Sequence, residues 1–221
     1  MSYFNQDFID FFKELSKNNN REWFNKNKQR YELSVKKPFE EFVEEMIHRI
    51  SDEEDDIRIT PKEAIFRIYR DVRFSKDKEP YKTHASAVIS PKGRKDFSVP
   101  GWYIQLSAED VRFYSGMHVM EKDQLQRFRE HIAANLKEFE RLLKEKDFKK
   151  YFGQIHGEQH KRVPKEFQNV AEIQPLIANK QFYFFAKLEP EKILSRTFTD
   201  LMMKCYFASR NMNNFIKDGV E

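Results

Sequence analysis

Cysteine is nearly missing from this chain: Cys205 stands alone among 221 residues. One thiol forms no internal disulfide and builds no cysteine-rich zinc site, so a reducing, cytoplasmic setting is the expectation. Glycine is scarce as well, with six in the whole sequence. There is no P-loop, no dinucleotide fingerprint and no Gly-Xaa-Ser-Xaa-Gly elbow. Any anion site must therefore be built from side chains rather than from a backbone cradle. No apolar run approaches the roughly 20 residues that a membrane span needs. The opening stretch from Ser2 to Phe12 lacks a basic start and a small-residue cleavage site, so no secretory signal is expected. Net charge is small too. Forty Lys and Arg against 36 Asp and Glu leave +4, too little to name a partner.

What the chain does have is phenylalanine, 22 residues of it. Phe carries no polar handle, and a core of helices packed on a sheet is the natural place for so many rings. Charge is also distributed unevenly. Glu40, Glu41, Glu44, Glu45 and the run Asp52–Asp56 make one segment acidic. Arg67, Arg70, Arg73, Lys76, Lys78, Lys82, Lys92, Arg94 and Lys95 make the next one basic.

The N-terminal part reads as helical. Phe8, Ile9, Phe11, Phe12 and Leu15 recur at helical spacing behind Asn5 as N-cap. Asn20 caps a second helix carrying Trp23, Phe24 and Tyr31. Pro38 opens a third, with Phe39, Phe42, Val43, Met46, Ile47 and Ile50 as its stripe. The period then changes to two. Residues 64–74 and 82–89 alternate, with a turn over 75–80, and 103–107 with 111–115 form a hairpin turning at 108–110. Helix returns over 121–146 and 171–178, a strand at 182–188, and a closing helix at 198–216. Segregated helices, strands and helices predict an α+β fold. The expected architecture is a single domain, 1–221, with a central, mostly antiparallel sheet packed by N-terminal and C-terminal helices.

Residues 66–84, FRIYRDVRFSKDKEPYKTH, concentrate the chemistry. Arg67, Arg70 and Arg73 alternate with aromatics, and Arg70 falls on the apolar side, where a guanidinium needs a partner or a ligand. A hairpin brings Lys78, Lys82 and His84 back across from them. Arginine suits bidentate grip on carboxylate or phosphate, and lysine adds a point charge. The candidate anion site is Arg67, Arg70, Asp71, Arg73, Lys78, Tyr81, Lys82 and His84. Arg70 would be a buried anchor oriented by Asp71, and His84 a proton carrier if there is catalysis. Two other uses of the same residues stay open. Asp71, Asp77 and Glu79 could neutralise the cluster as pure structure, or the hairpin and the acidic helix could dock a protein partner.

The chain resembles the bacterial and fungal family of conserved hypothetical proteins known as domain of unknown function 2461. The resemblance starts at Asn19-Asn20-Arg21-Glu22-Trp23-Phe24 with Asn27-Lys28 and Tyr31-Glu32. It is strongest at Phe66-Arg67, Arg70-Asp71, Arg73-Phe74, Lys78 and Pro80-Tyr81-Lys82. It continues through Gly101-Trp102-Tyr103, Gly116, Arg129 and Arg162-Val163-Pro164-Lys165. Glu166-Phe167 departs from the family's Gly-Phe. The resemblance implies no reaction.

Other constellations point elsewhere. His156 and His160 are four apart, but Gly153 and Gly157 oppose the helix that zinc ligation would need. Asp71, Glu79 and Lys82 have the wrong spacing for a metal-dependent nuclease. No metal and no cofactor are expected, and Cys205 reads as a small core residue. The expected ligand is an anionic small molecule. Nucleic acid, with Trp23 and Trp102 as stacking surfaces, is the weaker reading, and no membrane role is expected.

Overall fold

A computed structural model describes residues 2–95 and 98–221. The chain is α+β, with helices at both ends and an antiparallel sheet of four strands. Its first helices are α1 (Gln6–Leu15), α2 (Arg21–Lys26), α3 (Lys28–Tyr31) and α4 (Lys37–Ser51), followed by the one-turn α5 (Pro61–Ala64). The strands are β1 (His84–Ile89), β2 (Trp102–Ser107), β3 (Val111–Met117) and β4 (Phe182–Leu188), in the spatial order β1-β2-β3-β4. Between β3 and β4 lie α6 (Lys122–Ala134), α7 (Leu136–Leu143), α8 (Lys146–Tyr151) and α9 (Gln168–Ile173). The chain ends in α10 (Phe198–Val220). The described residues pack as two compact units. The first takes Met1–Arg94, Tyr103–Phe113 and Lys187–Met203, and the second Lys95–Trp102, Tyr114–Ala186 and Lys204–Glu221.

In the first unit the caps form where the sequence places them. The Asn5 side chain accepts from Asp7 N–H and the Asn20 side chain from Trp23 N–H, so each satisfies one of the N–H groups that a helix start leaves unpaired. Arg30 then ties α3 to α1, donating to Asp7 (2.8 Å) and to Glu14 (2.8 and 3.1 Å). Phe8, Phe11, Phe12 and Phe42 are fully buried beneath this network, and Phe42 stacks on Phe198 at 5.1 Å.

Pro38 lies in the first turn of α4, as expected, but that helix is continuous with the one before it. Helix runs on from α3 into α4 through a π-turn, Glu32–Lys36, in which Lys37 N–H donates to Glu32 C=O. The cause is local. In an α-helix the proline ring would strike the carbonyl four residues back, at Ser34, and leave it without a donor. The wider π-turn relieves that clash.

The alternating stretch 64–74 is not a full strand. Thr60 and Glu63 form a capping box and, with Pro61 behind the cap, hold α5 as far as Ala64. Beyond it the described residues form two isolated antiparallel bridges, Ile65↔Ala87 and Tyr69↔Tyr81, rather than a continuous ladder. Between those bridges the outgoing arm advances four residues and the return arm six. Two extra residues on the return arm break the ladder.

The second unit buries Phe128, Phe139, Phe148, Phe182 and Phe184. The helix expected over 121–146 is divided at Asn135, whose backbone leaves helical geometry (φ −121°, ψ 36°) while its side chain donates to the His131 carbonyl. Pro175 likewise divides the expected 171–178 helix into α9 and a 3-10 turn, Pro175–Ala178. Trp102 donates its indole N–H to Ser209 Oγ (3.0 Å). Asn213 accepts from Gly116 N–H (3.0 Å) and donates to Ser115 Oγ (2.7 Å).

Gly116 has φ +84°, and a Cβ there would lie 2.3 Å from the Phe182 carbonyl oxygen. Both the backbone angle and the space exclude a side chain. Gly116→Ala is therefore expected to cost at least about 2 kcal/mol, read as a lower urea midpoint at unchanged slope. A wild-type midpoint would show that β3 and β4 separate there without penalty.

Candidate functional site

The basic hairpin lies in the first unit. The Asn19 carboxamide pins its return arm, donating to the Tyr81 carbonyl (2.9 Å) and accepting the Tyr81 N–H (3.1 Å). It thus pairs with Tyr81 as a neighbouring strand would. Nδ2 also reaches Glu79 (3.1 Å). The buried Tyr81 ring stacks on Phe24 at 4.0 Å and 15°. Tyr81 is therefore a packing residue, and burial raises the pKa of its hydroxyl.

The tip of the hairpin is neutralised from within. Arg70 is 27% exposed, lies 2.7 Å from Asp77 and 3.7 Å from Glu79, and makes no contact with Asp71. Asp71 is instead gripped by Arg73 (2.6 Å), whose hydrogen bonds hold that carboxyl down at about 2. Asp77 is also held below the usual carboxylate range, by the Glu79 N–H and then by Arg70. Lys78 donates to the Val72 carbonyl (3.0 Å). Phe74, at 95% exposure, lies under the Arg73 guanidinium, which is 5.9 Å from the ring centroid.

The base of the hairpin differs. Among the described residues, neither Arg67 nor Lys82 is in an ion pair. Lys82 Nζ sits 4.8 Å over the Phe66 ring. Burial and then the Arg67 charge push the Lys82 ammonium below its ordinary value. His84, opening β1, is pushed down to about 4 by burial, with the Lys82 and Arg112 charges adding to the effect against an opposing pull from Asp110. Arg112 pairs with Asp110 (2.9 Å), which Lys187 also approaches (3.4 Å). So the Arg67 charge reaches Lys82, and those of Lys82 and Arg112 reach His84, while Arg70, Asp71, Arg73 and Lys78 close on themselves at the tip. His84 also lines a cleft of ≈ 20 Å³ together with Tyr31, Lys36 and Glu40, room for about one water molecule. That cleft abuts the π-turn. Two residues further along the same face of β1, Ser86 Oγ is the one buried side-chain polar atom without a partner among the described residues.

The match to the family model of the conserved hypothetical protein DUF2461 runs over residues 7–215. The chain belongs to the DUF2461 family. No curated protein and no solved structure matches it.

The remaining sequence candidates of this DUF2461 chain have ordinary surroundings. His156 lies against Tyr183 and Phe185, with ring centroids 5.8 and 5.0 Å away. Among the described residues, no three His, Cys, Asp or Glu side chains gather as metal ligands would. Cys205 is buried, and burial pushes its thiol up to about 12. The motif reading missed Arg112, Ser86, Tyr31, Lys36 and Glu40. Alternation along β1 and β3 was the available signal for the first two, and a proline within an otherwise helical pattern was the signal for the cleft.

Two outcomes follow. Asn19→Ala removes two hydrogen bonds to Tyr81 and is expected to cost about 1–3 kcal/mol; a wild-type denaturation curve would mean that the hairpin holds itself. His84 titrates near 6.5 when unfolded and near 4 when folded. Between those values the unfolded chain binds the extra proton, so this residue's contribution to stability is full above pH 6.5 and falls as pH drops towards 4. The loss is at most about 3 kcal/mol. His84→Gln should remove that part of the acid destabilisation in urea midpoints measured from pH 7 to 4. If the variant loses stability as steeply as wild type, His84 is not held neutral.

Proposed function

We propose that this protein binds a small anion at the base of the hairpin, with Arg67 and Lys82 as the cationic grip and His84 as a neutral hydrogen-bonding partner. One observation carries the reading. Five of the hairpin's charged groups are matched to one another at the tip, whereas Arg67 and Lys82 have no carboxylate within ion-pair distance among the described residues. Lys82 is half-buried as well, and a half-buried ammonium facing a second cation is unfavourable until a negative charge arrives. A phosphate or carboxylate group would supply that charge, and Arg67 offers the planar fork such groups fit. Arg112 already has Asp110 and would supply field rather than grip.

A second reading concerns the tip alone. Arg70, Asp71, Arg73, Asp77 and Glu79 satisfy one another, which suits a structural role, and the exposed Phe74 ring suits contact with a protein partner.

The test is a thermal-shift series with phosphate, nucleotides, sugar phosphates and dicarboxylates on wild type, Lys82→Ala, Arg67→Ala and Arg73→Ala. Ligand at 100 times its Kd stabilises the native state by about 2.7 kcal/mol. The expected pattern is a shift in wild type and Arg73→Ala that is lost in folded Lys82→Ala and Arg67→Ala. A shift that survives both base variants, or that Arg73→Ala alone abolishes, would move the site away from the base. A steep fall of binding with salt for oligonucleotides alone would make nucleic acid the ligand.

A further inference from the structure

The second unit holds a cation in a more demanding position than any in the hairpin. Arg129 projects from α6 and is 5% exposed. Its Nε donates to the Ile177 carbonyl (2.9 Å) and its Nη2 to the Asn179 carbonyl (3.2 Å). Both acceptors lie at the end of the Pro175–Ala178 turn, where carbonyls lack helical donors. Among the described residues no carboxylate is within ion-pair distance. Glu166, on the exposed turn Lys165–Phe167, acts on the guanidinium only from farther away.

Those two bonds fix the plane of the guanidinium and leave Nη1 without an acceptor among the described residues. Residues 158–160 run alongside those carbonyls. His160 N–H donates to the Ala178 carbonyl (2.9 Å), between the two carbonyls that hold Arg129. Gln159 bridges antiparallel to Asn179, and Lys180 follows with Glu158 as its partner (3.2 Å). The charges of Arg129 and Lys180 both act on the His160 imidazole.

A clamp on two carbonyls does not need a full charge. Burying one with no carboxylate beside it is unfavourable unless a counter-ion joins it. We propose that Arg129, His160 and Lys180 form an oxyanion site in the second unit, independent of the hairpin, that takes a phosphate group. Arg129 presents Nη1 as a pre-set donor, while exposed His160 and half-exposed Lys180 close the rim as donors whose loss leaves the core intact. Bound phosphate also favours the imidazolium form of His160, so ligand and proton bind together.

The decisive measurement follows the His160 ring by NMR from pH 5 to 8, without and with 20 mM inorganic phosphate. The expected result is an upward move of its titration midpoint with phosphate, retained in Lys82→Ala. His160→Ala and Lys180→Ala, both rim changes, should each weaken phosphate binding about tenfold, the loss of one charge-assisted hydrogen bond. Arg129→Lys keeps the charge but not the fork and should bind less than wild type even where it folds less well. A His160 midpoint unmoved by phosphate would overturn the site. So would a phosphate response that disappears in Lys82→Ala, since it would then belong to the hairpin. Equal movement with 20 mM acetate would overturn the phosphate assignment in favour of a carboxylate.

Discussion

The first unit turns on one carboxamide. Asn19 sits in the short link between α1 and α2 and takes both backbone groups of Tyr81. Without that grip the hairpin has only two isolated bridges and a few backbone bonds to hold its arms, and a two-stranded ribbon of that kind is marginal in water. The Phe24–Tyr81 stack gives the same contact its apolar half. Once Tyr81 is fixed, Lys82 and His84 follow at set positions and β1 begins in register. Every distance at the base of the hairpin is thus inherited from a residue that carries no charge.

Charge is then sorted along the hairpin by reach. At the tip, carboxylates two to nine residues away in sequence fold back on Arg70 and Arg73, and exposure makes such pairs worth little individually. At the base Lys82 lies over the Phe66 ring, and among the described residues no carboxylate is within ion-pair distance of it. Elsewhere in the unit the chain does place acids beside its cations: Arg30 has Asp7 and Glu14, and Arg49 has Glu45 and Asp200.

Local signals in the sequence were legible where the physics is local. Asn5 and Asn20 cap helices because a short side chain reaches the next N–H groups. The 103–115 hairpin follows from alternation around Ser107–Asp110, where Ser107 N–H meets the Asp110 carbonyl. Alternation over 64–74 was equally clear, yet it does not become a strand, because pairing depends on the two extra residues of the return arm and on Asn19. Pro38 was visible as a helix-start residue, but its π-turn required knowing that helix precedes it. Ser86 and Arg112 matter through strand order, which no single segment encodes.

Arginine on an apolar stripe is the sharpest case. Arg70 drew attention because alternation put it among Phe66, Ile68 and Val72. Arg129 satisfies the same criterion on a helix, since Leu125, Arg129 and Ile132 are spaced four and three apart. The outcomes differ because the elements differ. A short, poorly paired arm lets Arg70 swing to its edge and meet Asp77 and Glu79. On α6, Arg129 stays buried and two backbone carbonyls take its N–H groups instead. An apolar-stripe arginine in a helix thus stays buried among backbone acceptors, whereas one on a short, poorly paired arm turns to the carboxylates at its edge.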